Sequence, residues 1–233
     1  MIELIPVSEP TFIFAEVGGV SLRDKVITSL KEAIFSGKLR PGEPIVERHL
    51  SQQMKIGTPA VREALVMLNA QGFVRRVANT ATYVNSYTVD EVRELYQLRV
   101  EFEHLALKWA KLRVTEKDLS ALERLIESMA AAAANKDVRR FYELDLEFHR
   151  YCWQLSNNRF LVKSLENLVP PLFAFVLMAS DVTVSESIAY EHRSIVNALR
   201  RLEEPEFSSV VRQTLSNFAM TGIASVAGRP PTK

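Results

Sequence analysis

From Leu22 onward, apolar residues recur every three or four positions, the period of a helix that buries one face. Leu22, Val26, Leu30, Ala33 and Ile34 outline a first helix, opened by a capping-box-like Ser21/Asp24 pair and closed by Gly37. Pro41-Gly42 turns the chain, and a short helix fits Glu47–Met54 with Leu50 and Met54 inward. A third helix opens at Gly57-Thr58-Pro59, with Thr58 or Gly57 as N-cap, and runs through Val61, Ala64, Leu65 and Leu68 to Gly72. Phe73–Val77 and Thr82–Asn85 then read as two short strands. Two helices around a tight turn, followed by a hairpin, form the plan of a winged helix-turn-helix.

Beyond residue 88 the period is helical throughout. Thr88/Glu91 and Thr115/Asp118 are capping boxes opening two long helices, and further helices fit 138–156, 158–178, 185–201 and 205–226. A bend is expected at Pro170-Pro171. Six antiparallel helices with short connections make a bundle able to enclose a pocket. The expected fold is mainly α: a winged helix-turn-helix domain over 20–86 and an all-helical bundle domain over 87–228. An extension over 1–19, in which Thr11–Val17 fits a strand-like arm, and a disordered tail over 229–233 flank them.

Composition narrows the class. Only eight glycines occur in 233 residues, about half the usual ~7%, which speaks against an all-β fold and against Gly-rich nucleotide loops. The single cysteine, Cys152, builds neither an internal disulfide nor a cysteine zinc site. No run of 18 apolar residues is present, so no membrane span is expected. The N-terminal stretch lacks a basic region and carries Glu3 and Glu9, unlike a secretory signal. A reducing cytoplasm is the expected location.

The formal charge of +1 conceals an uneven split. Residues 20–88 hold ten Lys/Arg against five Asp/Glu, whereas 89–228 hold seventeen against twenty. A basic module followed by an acidic one makes the first the candidate polyanion binder.

Within that module, Ser36-Gly37-Lys38-Leu39-Arg40-Pro41-Gly42-Glu43, Glu47-Arg48-His49-Leu50-Ser51, Val61-Arg62-Glu63-Ala64-Leu65 and Ala70-Gln71-Gly72-Phe73-Val74 occur in that order. Together they resemble the DNA-binding domain of GntR-type regulators across nearly all of 22–86. The resemblance implies a recognition helix entering the major groove N-terminus first. That end offers Thr58 and Ala60, with Arg62 one turn further in. Arg48, Thr58 and Arg62 align with the family's DNA-contacting positions, and an arginine fork suits guanine O6 and N7. A solvated face or an internal salt bridge is the plainer reading of each arginine. Where the family commonly has Ser-Arg-Thr-Pro, this chain has Gly57-Thr58-Pro59-Ala60, so one base-reading arginine is missing. The wing tip is Thr80-Ala81, with Arg75 and Arg76 earlier in the hairpin.

Of four histidines, His149 follows Asp145 at i+4, and His192 follows Glu191 on a later helix. Spacing alone leaves these as surface hydrogen bonds or structural histidines. The C-terminal half, however, resembles the all-helical effector domain (FCD type) of the FadR-like subfamily through Leu98-Arg99…Glu103, Asp145-x-x-Phe148-His149, Ser156-Asn157-Asn158-x-Phe160-Leu161 and Glu191-His192-x-x-Ile195. In metal-binding members an Asp and three His hold a divalent ion such as zinc or nickel. Asp145, His149 and His192 match three of these ligands, while Thr214 stands at the fourth position, a poor ligand for such an ion. Either three protein ligands suffice, or the pocket is metal-free and the polar trio meets an organic effector directly. Arg99 is the candidate grip for an effector carboxylate, with an i,i+4 salt bridge to Glu103 as the alternative.

No nucleophile–base–oxyanion set can be assembled, so an enzyme is not expected, a metal-dependent hydrolase included. The expected function is a homodimeric regulator, more often a repressor in this family. It would bind a pseudo-palindromic operator in double-stranded DNA and respond to a small carboxylate effector. The apolar run Leu172–Leu177 raises an acyl-CoA sensor as an alternative, and a small-molecule binding protein without operator function is another.

Overall fold

The computed structural model describes residues 21–77, 81–179 and 184–227. The expected N-terminal arm, the wing-tip Thr80 and the C-terminal tail lie outside these residues. The first domain runs α1 (Leu22–Phe35), β1 (Pro44–Ile45), α2 (Glu47–Met54), α3 (Thr58–Ala70), β2 (Val74–Val77) and β3 (Ala81–Val84). The second runs α4 (Val89–Ala110), α5 (Glu116–Ala134), α6 (Val138–Leu155), α7 (Arg159–Ala179), α8 (Glu186–Glu191), α9 (Arg193–Arg201) and α10 (Glu206–Ala227).

Local chemistry sets most boundaries. Ser21 accepts the Asp24 amide to open α1, and both expected capping boxes close, at Thr88/Glu91 and Thr115/Asp118. Gly57, not Thr58, is the N-cap of α3, so Pro59 falls inside the first turn where its missing N–H costs nothing. Gly72 adopts φ 77°, the left-handed turn that lets the chain leave α3 for β2.

Two expectations need correction. The hairpin is part of a three-stranded sheet of order β1-β3-β2, because Pro44 and Ile45 pair antiparallel with Tyr83 and Thr82. Two residues carry no periodicity, so this strand left no pattern. The helix expected over 185–201 is broken at His192 into α8 and α9. His192 stays in αR conformation, but its amide bonds Ala189 rather than Ile188, a one-residue tightening of the spiral.

Val26, Leu30, Ile34, Val61, Leu65, Leu68 and Phe73 form the core of the winged domain. Ala174 of α7 is buried in that same cluster, with Met178 packed against it. At the junction, a Cβ on Gly72 would lie 3.3 Å from both Asn167 O and Pro171 Cγ. Pro171 has no N–H to offer Asn167, so that carbonyl is free of its helical bond where it meets Gly72. The Gly72 carbonyl accepts from Asn85 Nδ2 at 2.9 Å, and Tyr87 packs edge-on against Phe175.

Helix α7 continues through both prolines. Its apolar stretch Arg159–Met178 is long enough to cross a membrane by length and composition, but 56% of its apolar 18-residue window is buried inside the protein. The run Leu172–Val176 is buried and divided among the cores, as ordinary packing requires. The bundle centres on Leu122, Ile126, Met129, Phe141, Phe148 and Val211, each worth about 1.5–3 kcal/mol on burial.

Candidate functional site

On α2, α3 and β2 of the winged domain several polar side chains reach the surface. Arg48, Arg62, Arg75 and Arg76 are exposed, and Thr58 and Ala60 are partly so at the start of α3. Arg62 sits one turn into α3 with 61% of its side chain accessible, yet it is paired: Glu47 Oε2 accepts from its Nε and Nη2. Arg76 reaches the same carboxylate at 3.8 Å. Arg75 lies over the ring of Tyr83, 5.7 Å from its centroid. Among the described residues, Arg48 makes no ion pair.

The second site lies inside the bundle. Asp145 and His149 project from one face of α6, and the αR turn at His192 brings its ring to them. Ligand atoms of these three residues all lie within 4.8 Å of one another. His192 Nδ1 is 3.1 Å from the carbonyls of both Ile188 and Ala189, so it must donate. Its Nε2 therefore faces Asp145 Oδ1, 2.8 Å away. Two acceptors that close are stable only with a proton or a cation between them.

His149 is held from two sides. Arg99 Nη2 lies 2.9 Å from its Nε2, and a guanidinium can only donate, so Nε2 accepts. The Nδ1 side faces Glu103 Oε2 at 2.8 Å, a pairing by charge rather than an aligned hydrogen bond. Glu103 Oε1 accepts from Arg99 Nε at 2.9 Å. The Arg99–Glu103 bridge, the alternative reading of Arg99, is thus present, and Arg99 also lines the cavity.

Burial alone would raise the pKa of Asp145, but the His192 and His149 imidazoles beside it hold it well below the carboxylate range. Burial likewise opposes the charges of Arg99 and Glu103, which stabilise each other. For His149, burial pushes the pKa down and the Glu103 charge pushes it up, with a net rise.

A cavity of about 60 Å³ adjoins the cluster, with Arg99, Asp145 and His192 among its lining residues. Tyr96, Tyr142, Phe173 and Phe218 supply aromatic walls. Phe218 stacks on His192 at 4.4 Å, and Arg99 lies 4.6 Å from the Phe173 centroid. From α10 the wall is made by Phe218, Thr221 and Gly222, whereas Thr214 is buried with its hydroxyl turned back onto the Val210 carbonyl at 2.9 Å. Cys152 is buried, and burial pushes its thiol pKa up, so it is not a nucleophile.

The pairing of Glu103 with His149 and the Phe218 and Phe173 contacts were not predicted from sequence. Glu103 carries a signal as the i+4 neighbour of Arg99 and as part of the effector-domain resemblance, not as a partner of His149.

A winged helix-turn-helix joined to a helical bundle that encloses a cavity beside a buried Asp-His-His cluster defines a transcription regulator with a sensor domain. The chain matches the family model "Bacterial regulatory proteins, gntR family" over residues 22–84 and the FCD domain over 94–217. It belongs to the GntR family, with an FCD effector domain, and is a DNA-binding regulator rather than an enzyme. It is 28% identical over 174 residues to the uncharacterised HTH-type transcriptional regulator YdhC of Bacillus subtilis, covering 74% of this chain and 78% of that protein. It is 24% identical to the HTH-type transcriptional repressor RspR of Escherichia coli, covering 85% and 87% respectively. The structure of E. coli McbR/YncC shares the fold at a TM-score of 0.75 with 22% identity, covering 90% of this chain and 99% of that one.

Proposed function

We propose that the chain is a cytoplasmic, homodimeric repressor that binds a pseudo-palindromic operator and is switched by a small carboxylate in its helical domain. Arg48, Thr58, Ala60 and Arg62 would meet the major groove, with Arg75 and Arg76 on the adjoining strand. The carrying observation is that Arg99, Asp145 and His192 all line one largely apolar cavity. A buried cation lining an apolar pocket selects a ligand with one anionic end.

The donor set also suits a divalent ion of the zinc or nickel type. Two imidazole nitrogens and a carboxylate face one another, and the Ile188 and Ala189 carbonyls fix the His192 tautomer as outer partners of a ligating histidine do. Asp145, His149 and His192 would hold the ion, which would supply positive charge for the effector carboxylate. Thr214 contributes no imidazole, so the ion should be removable by chelator.

Calorimetric titration of chelator-treated protein with Zn(II) tests the site. Substitutions should keep shape, since leaving a buried partner unpaired costs about 3–5 kcal/mol. Wild type is expected to bind up to one ion per chain, Asp145→Asn and His192→Gln much more weakly, and a panel of short carboxylates to raise the melting temperature only where Arg99 is intact. Undiminished Zn(II) binding in both variants would sink the assignment.

A further inference from the structure

Three elements of the winged domain converge on one carboxylate. Glu47 opens α2, Arg62 lies on α3, and Arg76 lies on β2, whose position is set by the Arg76 amide donating to Asn69 Oδ1 at 3.0 Å. Glu47 Oε2 accepts from Nε and Nη2 of Arg62 at 3.1 and 3.0 Å, and its Oε1 lies 3.8 Å from Nη2 of Arg76. The Glu47 side chain is 25% exposed, against 61% for Arg62. So exposed a pair adds little to fold stability. Its consequence is felt where the arginines act.

Attraction of an arginine to phosphate is blind to sequence, whereas reading a base requires an aimed guanidinium. Glu47 occupies the Nε/Nη2 edge of Arg62, which leaves Nη1 to other partners and restricts the rotation of the fork. It also places one negative charge between two arginines, halving the local positive charge offered to an arbitrary phosphate. We propose that Glu47 is a specificity-determining residue: it buttresses Arg62 for base reading and restrains Arg62 and Arg76 from indiscriminate phosphate binding. This rests on the reading of Arg62 as a base contact.

Glu47→Gln keeps the shape and an acceptor but removes the charge. The full chain is titrated by fluorescence anisotropy, at several salt concentrations, against a random-sequence duplex and against duplexes the wild type enriches from that pool. Glu47→Gln is expected to bind the random duplex roughly 3- to 10-fold more tightly, with a salt dependence steeper by about 0.9 for each additional phosphate neutralised. Its preference for enriched over random duplex should shrink by a similar factor. Unchanged random-duplex affinity and salt dependence, in a variant that melts like wild type, would overturn the proposal. Arg62→Ala runs in parallel. If it loses affinity for the enriched duplex while Glu47→Gln behaves as wild type, the buttress alone falls. If Arg62→Ala binds the enriched duplex as wild type does, Arg62 is no reader and the buttress falls with it.

Discussion

At His192 the ring and the backbone settle one another. The Nδ1–H takes the Ile188 and Ala189 carbonyls, the Ile188 carbonyl being the one the helix would otherwise bond, so the chain tightens there and Nε2 points inward. The i,i+4 spacing puts Asp145 and His149 on one face, but it is the family resemblance that makes a site of them and adds His192. The Glu103–His149 pairing and the Phe218 stack join separate helices, and no spacing along the chain encodes such meetings. Two phenols give this scale its own test. Burial pushes the pKa of Tyr96 and of Tyr87 up from 10.0 to about 12. Below pH 10 both are neutral in either state and add no pH dependence. Between pH 10 and 12 the unfolded chain releases protons that the folded chain retains, so stability falls as pH rises. Denaturant midpoints measured from pH 9 upward should decline from about pH 10, less steeply in Tyr96→Phe; a midpoint equally steep in that variant would contradict the assignment.

Sequence encodes an element legibly where one face is buried and the caps are local. The α2 bounds, both capping boxes and the bundle helices follow from periodicity and chemistry within a few residues. The two-residue β1 and the break at His192 depend on partners distant in sequence, and local pattern is silent about those. Packing between helices also hides from pattern, as at the crossing of α4 and α10. A Cβ on Gly222 would lie 2.0 Å from Tyr96 Oη, 2.5 Å from Cζ and 2.8 Å from Cε2. Only hydrogen on α10 lets the phenol pass. Gly222→Ala is therefore expected to cost about 1–3 kcal/mol of overpacking despite the better helix propensity of alanine. Combining it with Tyr96→Phe should recover little, because the ring carbons still collide, whereas Tyr96→Leu should recover more. Equal recovery in chemical denaturation would mean that the hydroxyl alone sets the spacing.

Over the whole chain, the charge split and the resemblance both place the line between domains near residue 87, and among the described residues one core cluster lies in the winged domain and three in the bundle. What that division hid is that α7 belongs to both. Phe173 faces Arg99 in the sensor cavity, while Ala174 sits in the core of the winged domain and Phe175 against Tyr87 at the junction. An apolar run reads the same whichever core receives it, so the sequence could not assign these neighbours to different domains. The consequence is thermodynamic. A residue shared between two cores makes the melting of one expose the other, so differential scanning calorimetry should show one transition, with agreement between calorimetric and van't Hoff enthalpies. Two separated peaks would refute this. A fragment ending near residue 86 would lack Ala174 and carry an uncovered apolar seat. Excised, the reader should melt lower than it does in the intact chain.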